Sequence, residues 1–168
     1  MQVNRRAQTA ALAVQRGIAL DERLIRAALR LSAAYLLRNV EVVAEAVDGD
    51  LMLGLMFSAI LQANVGHISD DPALAKQFGL TSTLVPDDMR RPITVNALSE
   101  SLGIPYETTR RHVKRLLERG WCVKVGARGV IIPGEILLTP KALTAATKQY
   151  AHMLHFLRQL KEVGFEIE

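Results

Sequence analysis

Residues 92–132 read PITVNALSESLGIPYETTRRHVKRLLERGWCVKVGARGVII, and this stretch decides the fold. Thr94 is a capping hydroxyl, and Val95 to Leu102 follows as a short helix with Ala97, Leu98 and Leu102 pointing inward. Gly103 supplies a tight turn, where positive φ is wanted, and Ile104 plugs the angle beyond it. A second helix is expected from Pro105 to Arg119, with proline where a missing N–H costs nothing. Val113, Leu116 and Leu117, with Thr109 one turn earlier, form its inner face; Glu107, Arg110, Arg111, Lys114 and Glu118 form its outer face. Gly120 ends the helix. Residues 121–125 then read as a strand, 126–129 as a turn and 130–132 as a returning strand.

Helix, glycine turn and a second helix with a basic outer face is the helix-turn-helix layout, and a hairpin directly after it is a wing. Charge agrees with that layout. Nine basic residues lie between Arg90 and Arg128 against Glu100, Glu107 and Glu118, so the segment is +6 within a chain of +4 overall, and the rest is −2. A basic segment inside a nearly neutral chain is the footprint expected of a nucleic-acid site, although many charge runs are only solvated faces.

Around this module the chain is helical in character. Its 168 residues are 49% hydrophobic and 23% charged but only 5% aromatic, a composition that folds and favours helix over sheet. A long helix is expected from a cap at Asp21 to Val47, apolar around most of its circumference and so needing cover on more than one side. Asp48-Gly49-Asp50 breaks it, and Asp50 can cap the next helix, from Leu51 to about Val65. Residues 1–20 read as a frayed helix or a tail. Asp70-Asp71-Pro72 can open a short helix through Phe78, and Gly79 to Pro92 is loop-like. Thr139-Pro140 opens a last helix running to about Val163, on which Leu143, Ala146, Tyr150, Met153, Leu157 and Leu160 recur at steps of three and four.

The expected fold is therefore mainly α with a small two-stranded β-wing: a winged helix-turn-helix flanked by N- and C-terminal dimerisation helices. Its parts are helices over 1–68, a link over 69–91, the winged module over 92–132 and a dimerisation helix over 133–168. Both end helices carry more apolar surface than one small chain needs, which points to a homodimer; the competing reading is that the last seam packs on its own core.

The stretch LSESLGIPYETTRRHVKRLLERGW resembles winged helix-turn-helix transcription regulators through Leu98, Leu102, Gly103, Thr108, Arg111, Leu116 and Gly120. The segment LLTPKAL resembles the Leu-Thr opening of the C-terminal helix in many of them. The whole-chain layout resembles the multiple-antibiotic-resistance regulator (MarR) family, which implies a dimeric repressor that binds double-stranded DNA. Residues 66–91 are longer than that family's usual link, and Ala127-Arg128 lacks the acidic neighbour of its wing tip.

In such a module the second helix enters the major groove by its first turns while flanking cations meet phosphates. Glu107, Thr108 and Arg111 are the candidates for base contacts, Arg110, Lys114 and Arg115 for phosphates, Tyr106 for backbone or base, and Arg128 for a minor groove. Glu107 has a plainer role open to it, as a first-turn carboxylate, and Arg115 and Arg119 can simply solvate the far side. Leu143, Tyr150, Met153, Leu157 and Leu160 are the expected dimer contacts, and Met52, Met56 and Phe57 are candidates to line a pocket for a small apolar effector. The alternative function is a winged-helix module that binds protein in a larger assembly.

Other classes find little footing. No glycine-rich phosphate loop, paired active carboxylates or Gly-x-Ser-x-Gly motif is present, so no enzyme is expected. The single cysteine, Cys122, excludes an internal disulfide and a multi-cysteine zinc site and fits a reducing compartment. His152 and His155 stand three apart with no ligand cluster beside them, and His67 and Cys122 read as packing residues, so neither metal nor cofactor is expected. The most apolar run is about 15 residues, short of the ~20 that cross a bilayer, and a cytoplasmic location is expected.

Overall fold

A computed structural model describes residues 22–80 and 83–165; the segment 1–20 and the expected cap at Asp21 lie outside the described residues. In chain order the elements are α1 (Glu22–Ala46), α2 (Leu51–Asp70), α3 (Pro72–Gln77), α4 (Val95–Leu102), α5 (Tyr106–Glu118), β1 (Val123–Lys124), β2 (Val130–Ile131) and α6 (Pro140–Glu162). Short 3-10 turns stand at Asp87–Met89, Gly126–Arg128 and Gly134–Leu138. The chain is mainly helical with a small two-stranded antiparallel sheet. The described residues form two compact units, one of 40–149 and one of 22–39 with 150–165.

In the larger unit α2 is the central element. The Asp50 carboxylate accepts the Leu53 N–H at 3.0 Å and starts the helix. Leu53, Met56, Ile60, Asn64 and Ile68 then recur at steps of three and four on one buried face. Leu53, Met56 and Ile60 join Leu98 from α4, Val113 and Leu116 from α5, and Cys122, Val130 and Ile132 in one core. Gly54 allows α1 to come close, since a Cβ there would stand 2.4 Å from Val43 Cγ1.

The second helix outruns its expected end near Val65 and continues to Asp70. Gly66 weakens a helix by only about 1 kcal/mol, and no stronger breaker intervenes before Asp71 caps α3. At 20 residues α2 is, among the described helices, the one long and apolar enough by length and composition to cross a membrane. Its buried face carries Asn64, which holds two distant segments: Nδ2 donates to the Arg91 and Val130 carbonyls at 2.8 and 3.3 Å, and Oδ1 accepts the Ile132 N–H at 2.8 Å.

The sheet is minimal. Val123 faces Ile131 and Lys124 faces Val130, both strands being shorter than their sequence patterns. Ile93 extends the sheet by exchanging two backbone hydrogen bonds with Val130, at 3.1 and 3.0 Å. Gly129 makes this closeness possible: with φ of +123° it occupies a glycine region, and a Cβ there would stand 2.2 Å from the Ile93 carbonyl oxygen. The segment before α4 is anchored by Arg90, which is buried. Its Nη2 donates to the Val85 carbonyl at 3.0 Å, and its Nε lies 3.0 Å from an Asp87 oxygen that also accepts the Gly134 N–H.

In the smaller unit Tyr35 stacks on Phe156 with ring centroids 4.9 Å apart. Leu160 shares the inner face of α6 with Phe156 one turn earlier and is buried in its own chain. Of the five expected dimer contacts it is the one buried within its own chain. Tyr150, Met153 and Leu157 stay exposed, as do Leu143 in the larger unit and Ile25, Leu29, Leu36 and Leu37 on α1.

Candidate nucleic-acid interface

The geometry begins with two short helices and the turn between them. The Thr94 hydroxyl caps α4 by accepting the Ala97 N–H at 3.2 Å. Gly103 closes the helix in the left-handed region at φ of +65°, and the Ser99 hydroxyl donates to the Ile104 carbonyl at 2.7 Å, which fixes the way out of the turn. Ile104 then packs partly buried on the core. Ala97 is exposed, contrary to expectation: one residue before Leu98, it is rotated by about 100° away from the buried stripe of an eight-residue helix.

On α5, Thr109, His112, Val113 and Leu116 are buried. The Thr109 hydroxyl donates to the Pro105 carbonyl and His112 Nδ1 to the Thr108 carbonyl, so both buried polar side chains are satisfied within the helix. The opposite face is wet and charged. Glu107, Arg110, Arg111 and Lys114 are exposed there, Thr108 is half-buried at its border, and Tyr106 is exposed at the helix start on the side of Val113. Arg110 is paired with Glu107 at 2.9 Å and Lys114 with Glu118 at 3.5 Å, both exposed pairs one turn apart. Such pairs are worth little in water and release their cations readily to a phosphate. Among the described residues Arg91, Arg111, Lys124 and Arg128 make no ion pair. Arg128 is exposed in the turn between β1 and β2.

The far end of α5 is engaged inside the protein. Arg115 pairs with Asp50, the cap of α2. Arg119 lies 3.4 Å from Asp48 and stacks 4.9 Å over the Trp121 ring. Asp48 also takes Lys141 of α6 at 2.6 Å. This acidic turn holds Asp48 at φ of +58°, a conformation that Asp tolerates better than most residues. The hydrogen bond and charge of Lys141 push the Asp48 carboxyl below its ordinary pKa; the Leu53 N–H, and then Arg115, do the same for Asp50. The basic segment is thus divided: Arg90 is buried, Arg115 and Arg119 pair with the acidic turn, and the outward cations are Arg91 before α4, Arg110, Arg111 and Lys114 on α5, and Lys124 and Arg128 on the hairpin.

Beside the acidic turn lies an apolar cleft of about 550 Å³. Val43, Val47, Phe57, Leu61, Trp121, Ile136 and Leu137 form much of its wall, with Ser58, Gln62, Thr139, Lys141 and Gln149 as polar members. Phe57 is the expected pocket residue that reaches it. Met56 is fully buried in the core, and Met52 is exposed away from it. Cys122 is buried, and desolvation pushes its thiol up to about 11, which leaves it inert as a nucleophile at neutral pH. Among the described residues no three His, Cys, Asp or Glu converge to hold a metal ion.

The Asn64 hydrogen bonds, the Arg90–Asp87 pair and the ion pairs of Asp48 and Asp50 are not among the expected contacts, whereas the cap at Asp50 is. A lone Asn on the buried spacing of α2 was the signal for the first; the others join residues whose proximity only the fold reveals. No protein-family model, curated protein or solved structure matches the chain.

Proposed function

We propose that the chain is a sequence-specific DNA-binding transcriptional regulator that acts as a homodimer, with α4 and α5 as a helix-turn-helix, the β1–β2 hairpin as its wing, and a layout like the MarR family. The observation that carries this is the division of α5: Thr109, Val113 and Leu116 are buried, while Arg110, Arg111 and Lys114 face solvent on the opposite side. A helix of that design fits the major groove with cations left over for phosphates. Glu107, Thr108 and Arg111 read base edges, Arg110 and Lys114 meet phosphates, and exposed Arg128 enters a minor groove beside them. Arg115 belongs to the support of α5, since Asp50 holds it. Dimerisation covers the exposed apolar residues of α1 and α6, and the cleft serves a small effector.

A protein-binding role for the same module draws on exposed Tyr106 and Val123, which are anchors of the kind protein interfaces use. Fluorescence anisotropy with a random-sequence duplex pool at two salt concentrations, followed by sequencing of the bound fraction, separates the two. Salt-dependent binding with an enriched palindrome is expected. Absence of binding at low salt would overturn the DNA reading and favour a protein partner.

A further inference from the structure

Glu107 stands in the first turn of α5, where a carboxylate ordinarily serves the free N–H groups of the helix start. Here it turns forward instead. Its Oε2 takes one edge of the Arg110 guanidinium, with Nε and Nη2 both at 2.9 Å. Among the described residues Oε1 accepts no hydrogen bond, and Arg111, also one turn after Glu107, makes no ion pair. The Glu107 and Arg110 side chains are 71% and 55% exposed, so the pair stands free on the outer face beside Arg111. That face therefore offers one held carboxylate with a spare acceptor oxygen, and next to it one free donor fork.

We propose that Glu107 and Arg110 read a cytosine as one unit, Glu107 making the base contact and Arg110 acting as its positioning residue. The proposal rests on the DNA-binding function proposed above and names the base that this part of α5 selects. In the major groove cytosine presents a lone donor, its N4 amino group. Adenine sets the N7 acceptor beside its N6 amino group, and guanine and thymine turn acceptors outward, so an acceptor-only oxygen favours cytosine. A bare carboxylate on this face would meet the negative field of the phosphates. Arg110 cancels that charge and fixes the direction of Oε1, while its Nη1 is left for a phosphate. In water such a pair is weak, but between base edges breaking it would strand the carboxylate without its counter-charge. Arg111 is a donor fork suited to guanine. Four residues of helix advance about 6 Å, so the two G·C pairs lie within about two base steps of each other.

The test uses the full chain, the random-sequence duplex pool and the site enriched from it. In the parent, replacing the cytosine should cost about five- to hundred-fold in affinity. Glu107→Gln should move that one position to adenine, since an amide offers both a donor to N7 and an acceptor to N6, and should leave the other positions unchanged. N4-methylcytosine there lacks the groove-facing hydrogen and should weaken the parent but not Glu107→Ala. Arg110→Ala should relax the same position, and its loss of affinity should shrink when it is combined with Glu107→Gln, because no bare charge is then left. Arg110→Lys, which keeps the charge without the two-donor edge, should restore affinity more than base preference. A base preference untouched by Glu107→Gln would overturn the proposal. So would an Arg110→Ala loss that is the same on either background with the preference intact, which is the behaviour of a phosphate contact alone. An enriched site with no cytosine that depends on Glu107 overturns this inference and keeps the DNA reading; no binding to any duplex at low salt overturns both.

Discussion

Asn64 Oδ1 accepts the Ile132 backbone N–H at 2.8 Å across 68 residues of chain. The same amide donates from Nδ2 to the Arg91 carbonyl, so one buried side chain on α2 holds both the approach to α4 and the end of the hairpin. Replacing Asn64 with Leu keeps the branched shape but leaves the Ile132 N–H without its acceptor and the Arg91 carbonyl without its side-chain donor, while the Val130 carbonyl keeps the Ile93 N–H. Unsatisfied buried groups of this kind cost about 1–3 kcal/mol each, with relaxation recovering part. We expect Asn64→Leu to lose about 2–4 kcal/mol, read as a lower urea midpoint with an unchanged slope.

The acid limb of stability follows from Asp48 and Asp50. Both carboxyls sit below the ordinary value of 3.8, Asp48 through Lys141 and Asp50 through the Leu53 N–H. A depressed folded pKa stabilises fully above the unfolded value and is lost as pH falls through the folded one. The thermal midpoint should therefore ignore these two groups from neutral pH down to about pH 5 and fall below about pH 4. Asp50→Asn still caps α2 but gives up the charge that faces Arg115, so its midpoint should lie somewhat below the parent at neutral pH and decline less steeply in acid. A parallel acid decline in both proteins would remove Asp50 from this account.

How far the sequence reveals these features depends on how local they are. Thr94, Gly103, Pro105 and Gly120 bracket α4 and α5 within a few residues, and both helices lie within one residue of the spans their pattern implies. Inner and outer faces of α5 follow directly from its period of 3.6. What the period does not carry is the partner. No local pattern announces that Arg115 pairs with Asp50 and Arg119 with Asp48, about 70 residues earlier in the chain. Leu160 sits on the same seam as Leu157, yet it is buried within its own chain while Leu157 stays exposed. Arg90 counts toward a basic segment and turns out to be a buried tie to the 3-10 turn at Asp87.

The exposed apolar residues give a separable test of the dimer. Leu29 and Leu36 on α1 are 66% and 62% exposed, and Tyr150 on α6 is 58% exposed, with no cover among the described residues. Leu29→Glu with Leu36→Glu should leave the fold intact, because the replaced side chains are already wet, and should convert a dimer to a monomer in sedimentation. Leu160→Ala should instead cost about 2–4 kcal/mol of stability, because that side chain is buried in its own chain. Monomeric parent protein at micromolar concentration would overturn the dimer.

The three cations of α5 should separate by role. Arg111 is exposed, makes no ion pair among the described residues and lies on the face opposite Val113. If it reads a guanine edge, Arg111→Ala should relax one base position and cost about 1–3 kcal/mol on the preferred site, with far less loss on other sequences. Lys114, tied only to exposed Glu118, should act on phosphate: Lys114→Ala weakens every duplex alike and lowers the salt slope by about 1. Arg115→Ala should behave as neither. Its partner Asp50 caps α2, so the loss should appear first in the unfolding midpoint, and DNA affinity should change by a factor that does not vary with salt. If instead Arg115→Ala lowers the salt slope as Lys114→Ala does, the ion pair with Asp50 yields to phosphate on binding, and the DNA-facing surface of α5 extends one turn further toward the hairpin.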